Sequence, residues 1–268
     1  MKKMIKPLLL AATAIMLVVA TVFATMAYMT SSSAVSNVFT VGNVNLQMFE
    51  TKVNSEGKPV DASGNVIAYD PNAVKTADTN SYHLQPGMSY LKDPTVYVGA
   101  DSDKSYLFIR VRNDLKTIEK QGDPTAPTML EQLTANGWLE IERAASNVDA
   151  VFVYVGKDAM TAYNAKVEEI NADTTKSETE KTTALAEERK NLKAMLVGGT
   201  GESEVIDVFG KFTLATEIPN LSAFGGARVA IVAYAIQSNG ITTEDKVGTE
   251  EGYRAAWEYI KEELPFVV

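Results

Sequence analysis

The hydrophobic positions of this chain recur mostly with the period of two that is typical of β-strands. Within 106–112, Leu107, Ile109 and Val111 alternate with residues of the opposite face, which predicts a half-buried strand. The stretch 228–237 is apolar on both faces, so we expect a central strand there. Further strands are predicted at 96–98, 138–142, 150–155 and 205–214. Many short strands separated by turn residues predict a mainly β fold with two packed sheets.

Two stretches inside the β pattern predict helices. The first, 128–135, is short, whereas the second, about 158–197, is long, polar and balanced in charge. The run Ser177-Glu178-Thr179-Glu180 is a capping box that should divide the long stretch into two helices near residue 175. This composition predicts a solvated helical hairpin inserted between two strands, with a recognition element as the alternative.

A third helix is predicted to start near Thr249. Its apolar residues lie on one face and should cover the sandwich: Tyr253, Ala256, Trp257, Ile260 and Leu264. We therefore expect Trp257 in the core and not at a ligand site.

The apolar positions change phase at Gly42. They are odd before it and even after it: Val35, Phe39 and Val41, then Val44, Leu46 and Met48. A continuous strand keeps one phase, so two extended segments hinged at Gly42 are predicted. The second should be a resident strand, and the Ser-rich first segment is a candidate to pair with the open sheet edge of another copy. Alternatively, residues 30–41 fold back on their own domain or stay disordered.

The first 27 residues have the organisation of a secretory signal peptide. A lysine-containing start precedes an apolar run that ends in small residues at Thr25 and Ala27. Cleavage after Ala27 would make Tyr28 the first mature residue. A permanent membrane anchor is the alternative, because about 20 apolar residues can span a bilayer.

Two motifs after this leader carry a family resemblance. They are FTVGNV at 39–44 and LQPGMSYLKDPTV at 84–96, the latter leading into the strand SYLFIRVRN at 105–113. With the long signal peptide and the aromatic Tyr28, they resemble the TasA/camelysin family. These are exported proteins of Gram-positive bacteria.

The resemblance implies a jelly-roll sandwich, processing by a dedicated ER-type signal peptidase, and head-to-tail strand exchange into fibres of the cell surface or biofilm matrix. An accessory matrix protein is a further candidate partner. Because part of the family was described as metallopeptidases, a secreted peptidase is the second hypothesis. A monomeric surface module that binds a ligand through the helical hairpin is the third.

The expected organisation is a signal peptide at 1–27, an exchangeable segment at 28–43 and a jelly-roll domain at 44–268. The helical insertion occupies about 158–197 of that domain. The residues expected to act in assembly, as donor strand and hinge, are Val35, Phe39, Val41 and Gly42.

The composition restricts the chemistry. Among 268 residues there is no cysteine and one histidine, His83, which excludes disulfides, iron–sulfur clusters, thiol nucleophiles and two-histidine metal sites. The net charge of −9 opposes nucleic-acid binding. Neither Ser102 nor Ser222 lies in the Gly-x-Ser-x-Gly turn of serine hydrolases. The sequence therefore predicts no catalytic residues, no cofactor and a non-enzymatic protein.

Two loops resemble ligand sites at first sight. The run Asp101-Ser102-Asp103, with Asp93 before it, offers oxygen atoms that could bind calcium weakly, although two aspartates also favour a simple turn. The glycine-rich run 198–201 lacks the Lys-Ser/Thr of a phosphate loop and is expected to be a connector.

Overall fold

The structure is a computed structural model that describes residues 30–263. The predicted signal peptide, its cleavage residues Ala27 and Tyr28, and Leu264 of the last predicted helix lie outside the described residues. Within the described range, no helix is long and apolar enough to cross a membrane.

Strands dominate the described chain, and the helices come between or after them. The strands are β1 (Thr30–Val41), β2 (Leu46–Phe49), β3 (Thr79–His83), β4 (Ser89–Leu91), β5 (Thr95–Val98), β6 (Ser105–Asn113), β7 (Trp138–Arg143), β8 (Asp149–Tyr154), β9 (Glu204–Asp207), β10 (Lys211–Thr213) and β11 (Val229–Gln237). The α-helices are α1 (Met129–Ala135), α2 (Lys157–Ala172), α3 (Glu178–Asn191) and α4 (Glu250–Glu263). The predicted mainly β fold is confirmed.

These strands form several sheets. The largest has six strands in the order β3-β1-β11-β6-β8-β7, the next has the order β2-β5-β9, and β10 pairs with β4. Neighbouring strands are antiparallel except β1 and β11, which run parallel. The predicted central position of β11 is confirmed, because it lies between β1 and β6.

One face of the six-stranded sheet packs against the smaller sheets. Leu107 and Ile109 of β6 share a buried cluster with Val96 of β5 and Phe212 of β10. We call this cluster the inner core. Because alternate residues of β6 point to one face, the apolar alternation of the sequence produces this layer.

The other face of the same sheet is covered as well. Tyr106 and Phe108 of β6 belong to a second cluster, the outer core, together with Trp257 of α4. The prediction of a half-buried strand is therefore wrong, since α4 covers the face that alternation assigns to solvent. The predicted apolar face of α4 is confirmed by its buried residues, Tyr253, Ala256, Trp257 and Ile260.

The long polar stretch forms a helical hairpin of α2 and α3. The Ser177 hydroxyl accepts from the Glu180 N–H (3.3 Å), and the Glu180 carboxylate accepts from the Ser177 N–H (2.8 Å), which confirms the capping box. Every residue of α3 is at least partly exposed. After Asn191 the chain returns to the domain, where Leu192 joins the outer core and Val197 joins the inner core. The polar insertion therefore ends before 197.

Replacing residues 161–190 by a short linker is expected to leave cooperative unfolding intact. This deletion keeps the buried Met160 and Leu192, so it removes little apolar surface from the outer core. Extending the deletion to 158–197 also removes Val197 and should destabilise strongly, at about 2–5 kcal/mol for each large buried side chain. The thermal unfolding transitions of the two deletion variants should be measured and compared. Loss of the transition in the shorter deletion would mean that the hairpin belongs to the core.

The predicted continuous strand at 205–214 is wrong. It is divided into β9, which pairs with β5, and β10, which pairs with β4. The side chain of Gln132 on α1 explains the break, because its Oε1 accepts from the N–H groups of Gly210 (2.9 Å) and Lys211 (3.2 Å). A side chain thus satisfies backbone donors between the two strands.

Candidate assembly site

Strand β1 changes neighbours along its length. Residues 30–34 pair antiparallel with β3, whereas residues 35–41 pair parallel with β11. The first half therefore joins the sheet through one strand and the second half through another. The candidate assembly site consists of β1 and the surfaces of β3, β11 and α4 that receive it, which we call the seat.

A bulge interrupts β1 near its middle. Val35 pairs with Ile231 and Asn37 pairs with Val232, so Ser36 has no partner position of its own on β11. Farther along, Phe39 pairs with Tyr234. Ile231 belongs to the inner core and Tyr234 to the outer core, so the alternation predicted from Val35 to Phe39 does not continue through the bulge.

Beyond the bulge, β1 contributes side chains to both cores. Phe39 and Val41 are half-buried against the outer core, as the shared phase of these two residues predicts. Val38 packs against the inner core, which the phase argument missed. Thr40, between them, is exposed. The second half of β1 is thus held by ladder bonds and by apolar contacts on two faces.

The outer-core part of the seat is aromatic. The ring of Phe39 stacks on Tyr234 with centroids 5.4 Å apart, and Tyr234 meets Trp257 edge-on at 5.6 Å. Such pairs contribute about 0.5–1.5 kcal/mol beyond the area they bury. Helix α4 therefore supports the surface on which β1 lies, and Phe39 is its main apolar contact.

A half-buried ion pair lies beside this aromatic surface. Arg110 on β6 donates through Nε to Asp149 Oδ1 (2.7 Å) and through Nη2 to Asp149 Oδ2, a bidentate contact. The hydrogen bond to Asp149 raises the pKa of Arg110, and burial raises the pKa of Tyr234. Both groups therefore keep their ordinary charge states at neutral pH, so Phe39 stacks on a neutral phenol ring next to a paired guanidinium.

Gly42 ends β1 in a conformation that favours glycine. Its φ is 95°, and a Cβ added there would lie 2.7 Å from Gln237 Oε1 and 2.8 Å from Gln237 Cβ. The Gly42 carbonyl accepts from the Val44 N–H (3.1 Å), which closes a tight turn before β2. The two segments predicted on either side of Gly42 are separate strands, and they belong to different sheets.

The acidic loop fastens the chain directly after the hinge. Asp103 N–H donates to the Asn43 carbonyl (2.9 Å), and Asn45 N–H donates to the Ser102 hydroxyl (3.0 Å). Asp101 Oδ1 accepts from the Asn45 amide at 3.3 Å. The loop considered for weak calcium binding thus forms a turn that anchors residues 43–45.

The single histidine lies next to β1. His83 is half-buried in β3, opposite Thr30 in the ladder, and its carbonyl accepts from the Tyr90 hydroxyl (2.9 Å). Within residues 30–263, no three histidine, aspartate or glutamate side chains are grouped so that they could hold a metal ion. The arrangement around His83 is that of a strand residue.

The glycine-rich connector uses its own N–H groups within the protein. Gly198 N–H donates to Glu204 Oε1 (2.7 Å), and Gly199 N–H donates to the Ser102 carbonyl (2.7 Å). These donors therefore hold the connector against the acidic loop.

A buried ionic cluster was missed by the sequence reasoning. Lys75 and Asp93 form an ion pair of 3.0 Å with side chains 6% and 3% exposed, and Tyr69 donates to Asp93 at 3.2 Å. Burial, together with the charge of Asp93, raises the pKa of Tyr69 to about 12. A second buried pair joins Lys92 to Glu50. The sequence did contain one sign that Lys92 is buried. Alternate residues of a strand share a face, so Lys92 lies on the same face as the buried Tyr90.

Comparison with protein-family models, with curated proteins and with solved structures found no match to this chain. The likeness to the TasA/camelysin family therefore depends on the motifs at 39–44 and 84–96.

Proposed function

We propose that this chain is an exported, non-enzymatic structural protein that assembles head to tail by exchange of β1. The observation that carries the proposal is the position of β1. It is the first described strand, it lies between β3 and β11, and it ends just before Gly42, after which residues 43–45 are anchored. The seat that β1 fills in its own subunit is the one that β1 of a neighbour would fill.

Exchange costs little contact energy, because a swapped strand makes the same contacts between subunits that it makes within one. Main-chain ladder bonds give affinity, and Val38, Phe39 and Val41 give specificity through the surfaces on which they pack. In a head-to-tail contact, each subunit uses one surface to bind the next subunit and a different surface to bind the previous one. Such contacts form an open chain unless the rotation between subunits closes a ring. Repeated exchange would therefore build a filament.

Processing is part of the proposal. Cleavage after Ala27 by a dedicated signal peptidase would free the chain from its leader and place Tyr28 two residues before β1. The exported product would lie on the cell surface or in a biofilm matrix, with other copies of itself as main partner and an accessory matrix protein as a second one. The intact mass of the secreted protein should correspond to a chain that begins at Tyr28. A mass that retains residues 1–27 would instead indicate a membrane-anchored protein.

We further infer that the sandwich is a jelly roll. Supporting this, consecutive strands alternate between opposed sheets: β2 lies in the three-stranded sheet, β3 in the six-stranded sheet, and β4 and β5 again on the opposite side. The likeness to the TasA/camelysin family points to the same fold.

Negative-stain electron microscopy of the secreted protein tests the function. Extended fibres without proteolysis of casein are expected. Proteolysis that a chelator abolishes would overturn the proposal in favour of a metallopeptidase, and an inert monomer would favour a surface binding module.

A further inference from the structure

Three polar side chains meet in a fully enclosed place beside the inner core. Glu50 directly follows β2, Asn80 lies on β3, and Lys92 directly follows β4. Their exposed fractions are 0%, 4% and 1%. Removing a carboxylate and an amine from water costs several kcal/mol per ion. Stability alone therefore does not explain why these charged side chains are buried together.

One carboxylate bridges the other two side chains. Glu50 Oε2 lies 2.9 Å from Lys92 Nζ, and Glu50 Oε1 accepts from Asn80 Nδ2 at 2.8 Å. The amine of Lys92 and the amide of Asn80 are therefore held side by side on the two oxygens of a single group. A base placed between a nucleophile and a leaving group can move a proton from one to the other.

The Asn80 amide is also held at its other atoms. Its Oδ1 accepts from the Val53 backbone N–H at 3.0 Å, and its Nδ2 donates a second hydrogen bond to the Thr51 carbonyl at 2.8 Å. A backbone N–H at this distance stabilises negative charge on a carbonyl oxygen when a nucleophile adds to the carbon. The amide is thus fixed and polarised by three contacts.

Burial acts on the protonation of both charged partners in this group. Burial raises the pKa of Glu50 and lowers the pKa of Lys92, in each case against the opposing effect of the partner. Both shifts move the proton from the ammonium toward the carboxylate. A desolvated lysine that has lost its proton is a strong nucleophile.

We propose that Lys92 and Asn80 become joined by an intramolecular amide bond, with Glu50 as the catalytic proton carrier. The Lys92 Nζ adds to Asn80 Cγ, and the oxygen that becomes negative is held by the Val53 N–H. Glu50 already holds the proton that Lys92 gave up to become a neutral amine; it donates this proton to Nδ2 and takes in exchange one of the two protons left on Nζ. The bond between Cγ and Nδ2 then breaks and ammonia leaves, so the reaction needs no other reactant. Holding both groups on one carboxylate replaces a bimolecular collision.

The neighbouring pair lacks these features and serves as a control. The Lys75 amine is held by Asp93 Oδ2 (3.0 Å) and by the Thr95 hydroxyl (2.6 Å). The Asp93 carboxylate accepts in addition from Thr51 N–H and Thr51 hydroxyl, both at 2.8 Å, and from Tyr69. In this pair the lysine faces a carboxylate rather than a carboxamide, and a carboxylate is a poor electrophile.

The bond would fasten the edge strand β3 of the six-stranded sheet to the connection between β4 and β5 on the opposite side. Because β3 holds residues 30–34 of β1, it would carry load in a fibre. This consequence rests on the proposed strand exchange, whereas the bond itself does not.

Mass spectrometry of the full secreted protein tests the bond. The intact mass is expected to be lower than the sequence mass by one ammonia. Trypsin should leave residues 76–104 uncut at Lys92, and chymotrypsin, cutting after Tyr82 or Tyr90, should leave two pieces that remain joined. An intact mass equal to that of the sequence overturns the proposal. So does an ammonia loss located at Asn136 or Asn239, each of which precedes a glycine and can cyclise alone.

Single substitutions distinguish formation of the amide bond from the contribution of the same side chains to folding. Lys92→Met and Glu50→Gln should each show no ammonia loss in the folded protein, whereas Lys75→Met should keep the loss in full. Glu50→Gln retains the shape of the side chain and one of its two acceptor atoms, and it removes the use of the side chain as a base. If Lys92→Met does not fold, Glu50→Gln and the linked fragments of the wild type still decide the matter. A linked pair in folded Glu50→Gln at the wild-type level would overturn the role of Glu50.

Discussion

Mature protein that lacks residues 28–41 is expected to remain a folded monomer that forms no fibres. The truncation ends at Val41, before Gly42 and before the hydrogen bonds that tie Asn43 and Asn45 to the acidic loop, so the domain beyond the hinge keeps its anchors. It removes the donor strand and leaves the seat on β3 and β11 open. Light scattering and electron microscopy measure the loss of fibres, and circular dichroism measures the fold.

The paired substitution Phe39→Asp and Val41→Asp should have the same effect on assembly with a full-length chain. It places two carboxylates against the aromatic rings of the outer core, and the cation beside Tyr234, Arg110, is already paired with Asp149. Thr40→Asp is the matched control, because Thr40 is exposed on the same strand, and it should polymerise nearly as the wild type does. A synthetic peptide of residues 28–43 should raise the midpoint of thermal unfolding of the truncated protein by filling the open seat.

Fibres of normal length from the truncated chain, or from the paired aspartate variant, would rule out β1 as the donor. Fibres lost equally in Thr40→Asp would mean that charge on the strand, and not its contacts with the seat, controls assembly. The truncated monomer also separates assembly from the amide bond, since Asn80, Lys92 and Glu50 all lie beyond the hinge. Its mass should still be lower by one ammonia.

Much of the fold is predictable because period-two alternation reports which residues a strand buries. The predictions at β7, β8 and β11, and the capping box of α3, need only local patterns. Alternation does not predict burial by an element that is distant in the sequence. Tyr106 and Phe108 are covered by α4, which follows more than a hundred residues later. It fails again at 205–214, because the break depends on the side chain of Gln132.

In the candidate sites too, features set by local sequence were predictable and features set by distant contacts were not. The end of β1 at Gly42 could be predicted, since a phase change is visible in the sequence and the glycine has a positive φ. The bulge at Ser36 could not, because it is a property of pairing with β11. Nor could the meeting of Glu50, Asn80 and Lys92, which three separate strands bring together across the sandwich.

Trp257→Ala is expected to destabilise the domain more than any other single change on α4. The indole is 3% exposed, it lies 5.6 Å from the rings of both Phe108 and Tyr234, and its Nε1 donates to Glu142 at 3.0 Å. Truncating a buried aromatic residue costs about 3–5 kcal/mol. Since 1 kcal/mol shifts the midpoint of a chain of this size by about 2–4 °C, the midpoint should fall by roughly 10 °C.

Two further variants identify the cause of that loss. Tyr259→Ala on the same helix removes a ring that is 46% exposed and should change stability by less than about 0.5 kcal/mol. Trp257→Phe keeps an aromatic ring in the outer core and loses the hydrogen bond to Glu142, which still receives Lys261 at 3.3 Å, so a cost of about 1 kcal/mol is expected. Tyr234 lies between Trp257 and Phe39. Trp257→Ala should therefore also weaken the surface on which β1 packs, and the fibres should be shorter. A thermal midpoint unchanged by Trp257→Ala would show that α4 is not part of the folded core, and the seat would then lack the support that strand exchange requires.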